Sequence, residues 1–203
     1  MSDNEKIKWL HFAGNVLLSC LWGIFLYAHV EAYAIGHKAS ALLFALSESL
    51  VIIFFLMRSQ ARSFSHAPFD WALGFIGTFL TTLYRPSPNP EYFLGETLLS
   101  FGIVLNIAAL LSLNRSFAIV PAVRNIKTKG FYTIIRHPMY ASYLLMYIGY
   151  FLSNSTLANG IILLLCIAFQ LARIEREEVL LSTEPVYKIY QQKVKYKLIP
   201  GIY

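Results

Sequence analysis

The residues best suited to chemistry lie in short stretches of the C-terminal half of the chain. Arg136 and His137 directly precede Pro138 and an apolar run, so two potential cations stand at the start of a predicted helix. A helix N-terminus already carries partial positive charge, so cations there are unfavourable unless an anion lies nearby. An arginine at a helix end also commonly extends to lipid phosphates. The stretch therefore predicts either a site for an anionic group or a membrane-surface anchor.

A pair of carboxylates, Glu177 and Glu178, provides complementary charge. Arg173 precedes the pair and is spaced to reach Glu177 at i+4. Two carboxylates at the C-terminal end of a helix are unfavourable unless cations are close. If the apolar blocks on either side of residues 153–155 form a hairpin, both stretches meet at one membrane face, where a zwitterionic ligand can bridge them. The alternative is a solvated run of charges with weak ion pairs.

The end of the chain, residues 187–203, forms a third stretch. Apolar and aromatic residues recur there at three- or four-residue steps opposite several lysines, which predicts an amphipathic helix. Such a helix suits the inner leaflet of a membrane or a lid over the site. The stripe consists of Tyr187, Tyr190, Val194, Leu198 and Ile202.

The elements that must position these residues are hydrophobic. Of the 203 residues, 57% are hydrophobic and 14% are charged, and the apolar residues come in blocks. We expect an all-α, polytopic membrane helical bundle of about five or six spans with a C-terminal cytoplasmic helical segment. The third and fifth blocks are about 15 residues long, short for a hydrocarbon core of about 30 Å, so whether they cross fully stays open. The blocks are residues 9–33, 39–57, 70–84, 92–113, 138–152 and 156–172.

The distribution of basic residues predicts the orientation. All lysines and arginines except Lys38 and Arg85 fall on segments that six spans with an inner N-terminus place in the cytoplasm. This asymmetry follows the positive-inside rule, so both termini are predicted to be cytoplasmic. The net charge of +6 then reflects topology, and no nucleic-acid partner is expected. The five histidines contain no i+3 or i+4 pair, so no metal site is predicted.

The chain divides, by this interpretation, into two regions. Residues 1–113 are predicted to be N-terminal transmembrane helices, and residues 114–203 the catalytic region.

Glu48 lies within the apolar block of residues 39–57, where it would cost about 2.5–3.5 kcal/mol as a charged group at the membrane centre. Its side chain is therefore expected to be protonated or to face the bundle.

The stretch TKGFYTIIRHPMY, an apolar hairpin, REEVLL and a terminal Y…Y…V…LIP together resemble the isoprenylcysteine carboxyl methyltransferase-like superfamily, which includes phospholipid N-methyltransferases. The resemblance covers residues 114–203. It implies S-adenosylmethionine as the cofactor and a lipophilic methyl acceptor that enters from the bilayer. The cofactor-binding residues that it implies are Gly130, Tyr132, Arg136, His137, Pro138, Tyr140, Glu177 and Glu178.

The acceptor implied first is the carboxyl group of a prenylated cysteine in a protein. A carboxylate acceptor needs a cation to orient it, for which Arg173 and Arg136 are the candidates and Lys193 and Lys195 weaker ones. An amine acceptor needs a base instead, and Glu178 is the best placed. Methyl transfer from a sulfonium requires an aligned nucleophile and a dry pocket, so we expect positioning to dominate. The cofactor carboxylate is expected to supply the anion that Arg136 or His137 requires.

Three alternatives stay open. A phospholipid or small-thiol methyltransferase would use the same cofactor. The ending VKYKLIPGIY also resembles the tail of membrane sterol reductases and would imply NADPH, although those enzymes have more spans than this chain provides. A non-catalytic membrane protein would tolerate the loss of His137 and Glu178.

Overall fold

The structure is a computed structural model that describes residues 3–86 and 93–203. Short 3-10 helices lie at Leu80–Leu83, Asn114–Ser116 and Gly130–Thr133. Two strands of two residues each, β1 (Ser63–Phe64) and β2 (Ala122–Val123), pair antiparallel. The remaining elements are α-helices, which confirms the predicted all-α bundle. They are α1 Asp3–Gly36, α2 Ala39–Leu56, α3 Pro68–Phe79, α4 Phe93–Leu113, α5 Pro138–Ser153, α6 Leu157–Leu181 and α7 Pro185–Lys193.

Each apolar block forms a helix, and four of the described helices are long and apolar enough to cross a membrane. The protein is therefore an integral membrane protein. With 12 and 16 residues, α3 and α5 are about 18 and 24 Å long, less than the hydrocarbon core of about 30 Å. The expectation of about five or six spans thus exceeds what length and hydropathy support. The four candidate spans are Trp9–Gly36, Ala39–Leu56, Phe93–Ser116 and Leu157–Leu181.

The third and sixth blocks end differently from the prediction. The third block leaves α-helical geometry after Phe79 and tightens into a 3-10 turn. The sixth block continues to Leu181, so the carboxylate pair lies on the same helix as the span. Residue 92, the predicted start of the fourth block, lies outside the described residues.

The short helix α5 packs closely along α4 because glycines leave room for the two backbones. A Cβ atom on Gly149 would lie 2.5 Å from the amide nitrogen of Leu99, and one on Gly95 would lie 2.6 Å from that of Ser153. Small residues permit such close approach between helices in lipid, where the hydrophobic effect does not drive helix association.

A buried polar network also joins α2, α4 and α5. The Ser47 hydroxyl donates to Asn106 Oδ1 at 3.2 Å, and Asn106 Nδ2 donates to Ser142 Oγ at 3.0 Å. The Ser142 hydroxyl in turn donates 2.7 Å to the carbonyl oxygen of Met139. Because each polar group finds a partner, the network fixes the three helices at one depth and in one rotation.

The segments rich in Lys and Arg lie together at one end of the bundle, which we call the basic end (residues 57–67, 114–137 and 182–203). There the backbone of Arg62 donates 2.8 Å to the carbonyl oxygen of Val123, which extends the pairing of β1 and β2. The predicted α5–α6 hairpin is confirmed, since only residues 154–156 separate the two helices. That the basic end faces the cytoplasm stays a prediction.

Replacing Gly149 tests the close packing of α4 and α5. Gly149→Val is expected to force the helices apart and to cost about 1–3 kcal/mol or more, because overpacking moves backbone as well as side chains. Thermal unfolding of the detergent-purified protein measures the loss. Gly23→Ala is the matched control, since a Cβ at Gly23 meets nothing within 4 Å. Equal stability of the two variants would contradict the close-packing account.

Candidate active site

A tight turn leads from the basic end into α5. Gly130 has a φ of +63°, in the left-handed region that glycine adopts without strain, and a Cβ there would lie 2.9 Å from Ser112 Oγ. A single 3-10 turn over Gly130–Thr133 follows, and Pro138 starts α5 as its position before an apolar run predicts. The turn delivers Arg136 and His137, both buried, to the mouth of the α5–α6 hairpin.

Glu178 is the carboxylate that both of these side chains contact. Arg136 donates through Nε to Glu178 Oε1 at 2.8 Å and through Nη2 to Oε2 at 3.3 Å. His137 Nε2 lies 2.7 Å from Oε1, to which Tyr187 also donates its hydroxyl at 2.8 Å. Gln191 Nε2 donates 2.7 Å to Oε2. A carboxylate offers about four lone-pair positions, so protein donors saturate Glu178.

This geometry differs from the expectation that the cofactor carboxylate supplies the anion for Arg136. The α5–α6 hairpin brings Glu178 to the turn, so Arg136 has an anionic partner within the chain. The geometry also favours a positioning role for Glu178 over the role of a base, because a base needs a free lone pair.

The segment after α7 is held on the same turn. The backbone N–H groups of Arg136 and His137 each donate 2.9 Å, to the carbonyl oxygens of Tyr196 and Lys197 respectively. Arg136 Nη1 donates to two more carbonyls, of residues 194 and 195, at 2.8 Å each. All three guanidinium nitrogens of Arg136 therefore have protein acceptors, and its side chain binds the C-terminal segment to the hairpin.

The predicted C-terminal stripe is buried through Leu198 but is not one helix. Because the segment after Lys193 pairs with the turn, α7 ends there, and Ile202 is exposed, so its place in the stripe was wrong. Tyr190 donates 2.6 Å to the carbonyl oxygen of Tyr132. Burial, and next the Glu178 carboxylate, raises the pKa of Tyr187 well above its ordinary value, so its hydroxyl remains a donor. The burial of these side chains favours a lid over the site rather than a helix that lies on the membrane surface.

A cavity of about 520 Å³ lies beside this anchor and extends into the membrane bundle. At the basic end its wall includes Lys127 and Tyr190, and within the bundle it includes Phe44, Glu48 and Tyr150. The expectation that Glu48 faces the bundle is confirmed. One space thus joins polar groups at the basic end to apolar groups at membrane depth.

The structure divides the predicted site residues into two sets. Those that do not line the cavity are Gly130 and Pro138, which shape the turn, and Glu178, which holds it. Glu177 does line the cavity, and its Oε2 accepts a hydrogen bond of 2.9 Å from the Tyr140 hydroxyl. The predicted residues that line the cavity are Tyr132, Arg136, His137, Tyr140, Arg173 and Glu177.

Arg173 has different partners from those that its i+4 spacing predicts. Its Nη2 donates 3.1 Å to the carbonyl oxygen of Ile119, and its guanidinium carbon lies 5.4 Å from the centre of the Tyr140 ring. Gly77 of α3 provides space for the Arg173 side chain, since a Cβ at Gly77 would lie 3.2 Å from Arg173 Cδ. Arg173 is thus held against the cavity wall by contacts distant in sequence.

Two residues at the candidate site were not identified from the sequence. Gln191 completes the coordination of Glu178, and its spacing of four residues from Tyr187 on one helix face was the available signal. Arg124 lines the cavity, but its charge had been assigned to topology alone. No local pattern distinguishes Arg124 from the other basic residues of residues 114–137.

The fold and the cavity define a class of protein: an integral membrane protein with a cavity shared between its basic end and its interior. A family model described as phospholipid methyltransferase matches residues 90–192, just over half of the chain. The chain therefore belongs to the phospholipid methyltransferase family, which confirms the resemblance and indicates a membrane methyltransferase. The match includes α4 and thus begins before residue 114. A comparison with curated proteins finds no match.

The two neighbouring glutamates should respond differently to the same change. Glu178→Gln places an amide N–H₂ among donors that need acceptors, and breaking a buried ion pair in this way costs about 3–5 kcal/mol. We expect a lower unfolding temperature and faster proteolysis of the chain after Leu181. Glu177→Gln, the matched control, keeps an acceptor for Tyr140 and should leave both measurements near those of the wild type. Equal destabilisation by the two variants would refute the anchor role of Glu178.

Proposed function

We propose that the protein transfers a methyl group from S-adenosylmethionine to a lipid acceptor that reaches the cavity from the bilayer. The observation that carries the proposal is the single cavity shared by charged groups at the basic end and apolar side chains at membrane depth. A soluble, charged methyl donor and a lipophilic acceptor need such a shared space. We further propose that the basic end faces the cytoplasm.

The residues at the basic end of the cavity fit this cofactor. Glu177 has a carboxylate oxygen beyond the one that Tyr140 uses, so it can accept from the ammonium group or the ribose hydroxyls. Tyr132 and Tyr190 contribute aromatic surface to the wall. The volume of about 520 Å³ lies within the range of about 300–1,000 Å³ that is typical of ligand sites.

The role of the protein is then mainly positional. When bound, S-adenosylmethionine supplies an electrophilic methyl group. Glu178 holds Arg136 and His137 at the wall, and α7 covers the site through Tyr187 and excludes water. A direct displacement gains most from alignment and from a pocket that does not hydrate the nucleophile. Arg136 and Glu178 thus act as positioning residues.

Two acceptor classes fit different parts of the cavity. A carboxylate, as in a prenylated cysteine, would pair with Arg173, whose guanidinium lines the cavity. A phospholipid amine would transfer its proton to a carboxylate, and Glu48 lines the same cavity with an oxygen, Oε2, that has no hydrogen-bond partner within the described residues. The family match supports the phospholipid amine.

Cofactor binding is the first test. We expect saturable binding of S-adenosylmethionine, and no binding of NADPH, to the detergent-purified protein by calorimetry. Glu177→Gln should weaken the binding about 10- to 100-fold, because a hydrogen bond to a charged group contributes about 1.5–3 kcal/mol. Glu184→Gln is the control, since Glu184 is outside the cavity and pairs with the exposed Arg62. Binding of NADPH alone would replace this proposal with the reductase alternative.

Acceptor choice is the second test. Transfer of labelled methyl groups is measured in nanodiscs supplied with either a prenylcysteine or phosphatidylethanolamine. We expect Glu48→Gln to reduce transfer to the amine at least 10-fold and Arg173→Gln to reduce transfer to the carboxylate similarly, each with little effect on the other acceptor. Unfolding temperatures identify variants that fail to fold. Absence of transfer to both acceptors by a wild type that binds the cofactor would refute these acceptor assignments.

A further inference from the structure

One cationic side chain in the cavity wall has no protein partner for most of its donors. The side chain belongs to Arg124, which is only 7% exposed and lines the cavity. Within the described residues, neither Nε nor Nη1 of its guanidinium has a hydrogen-bond acceptor. We infer that Arg124 binds an anionic oxygen group, a carboxylate or a phosphate, of a ligand that occupies the cavity.

The energetics of burial support this inference. A buried N–H group without an acceptor costs about 1–3 kcal/mol, and more when the group is charged. A buried cation is ordinarily paired for this reason. The other buried arginines of the cavity wall follow the rule, since Arg136 donates to Glu178 and Arg173 donates to Ile119. Arg124 departs from it at a place where a ligand can supply the missing acceptors.

The charged surroundings of Arg124 increase the need for an anion. Burial, and next the nearby Arg58 cation, lowers the pKa of the Arg124 guanidinium to about 10, which leaves it charged at neutral pH. Arg58 donates its own Nη2 to Asn15 and leaves its Nε without an acceptor within the described residues. Like charges in one place favour an anion between them.

The fold holds Arg124 in place without using its guanidinium. It directly follows β2, where Val123 is fully buried and pairs with Ser63. Arg62 donates its Nη2 to the carbonyl oxygen of Arg124 at 2.9 Å. The backbone is therefore fixed from two sides while Nε and Nη1 remain available, as in a preorganised binding site.

The ligand chemistry follows from the guanidinium group. Its planar array of N–H donors matches carboxylate and phosphate oxygens. Two sources of such a group fit the cavity: the carboxylate of the cofactor and the phosphate of a lipid. In naming these sources the inference rests on the proposed function, whereas the presence of an anion site does not depend on catalysis.

The test compares Arg124→Met, Arg124→Lys and the control Lys129→Gln, an exposed neighbour that does not line the cavity. The unfolding temperature of each purified protein is measured alone, with S-adenosylmethionine, and with dioctanoyl phosphatidic acid against dioctanoylglycerol, which lacks the phosphate. Ligand affinity is obtained from the temperature shift over a concentration series.

We expect Arg124→Met to lose at least 10-fold in affinity for one anionic ligand, with Arg124→Lys intermediate and the control unchanged. Loss toward S-adenosylmethionine identifies the cofactor carboxylate, and loss toward phosphatidic acid identifies a lipid phosphate. Without ligand, Arg124→Met should be as stable as the wild type or more so, because it removes an unpaired buried charge. Unchanged affinity for both ligands, or a lower stability without ligand, would overturn the inference.

The two arms also separate this inference from the proposed function. A wild type that binds phosphatidic acid through Arg124 but does not bind S-adenosylmethionine would leave the anion site intact and refute the methyl-transfer proposal. Equal cofactor affinity of the wild type and Arg124→Met, together with no preference for phosphatidic acid over dioctanoylglycerol, would refute the anion site. It would leave the methyl-transfer proposal intact.

Discussion

The carboxylate of Glu178 is the interaction on which the rest of the site depends. It joins the turn before α5, the C-terminal end of α6 and helix α7 through Arg136, His137, Tyr187 and Gln191. A small hydrophobic cluster of Tyr132, Tyr187, Tyr190 and Val194 also packs at the basic end. The buried carboxylate adds a defined geometry to this packing, because every departure from it leaves an ion without its partner. The cavity takes its shape from this arrangement.

The two adjacent glutamates of α6 have different surroundings. Successive residues on a helix point about 100° apart, so Glu177 and Glu178 face different surroundings. Glu178 points into the protein, where donors surround it, whereas Glu177 lines the cavity and shares one oxygen with Tyr140. The carboxylate pair is thus one motif in the sequence, but its two members occupy different environments in the structure. The arginines differ similarly: every guanidinium nitrogen of Arg136 has a protein acceptor, whereas Nε and Nη1 of Arg124 have none within the described residues.

The membrane makes this division possible. Polar groups inside the bundle are expensive unless they are paired, and the Ser47–Asn106–Ser142 network meets that requirement within α2, α4 and α5. Glycines on α4 and α5 let the two helices approach, which keeps the short α5 beside a helix long enough to span. Within the described residues, Glu48 and Arg124 are among the cavity-wall residues that have buried polar atoms without hydrogen-bond partners. The cost of leaving them unpaired is consistent with their use in binding.

The helices, the turn and the meeting of the two charged stretches could all be predicted from the amino-acid sequence. Hydrophobic blocks, the proline at position 138, the glycine at 130 and the short α5–α6 connection act over a few residues, so local rules were sufficient to predict their effects. The hydrogen-bond partners of the charged side chains depend instead on the folded chain. Local spacing paired Arg173 with Glu177, whereas the folded chain gives Arg173 the carbonyl of Ile119; periodicity extended the last helix to Ile202, whereas pairing with the turn ends it at Lys193. The choice of partner depends on which distant groups compete for the same donor, and that competition exists only once the chain has closed on itself.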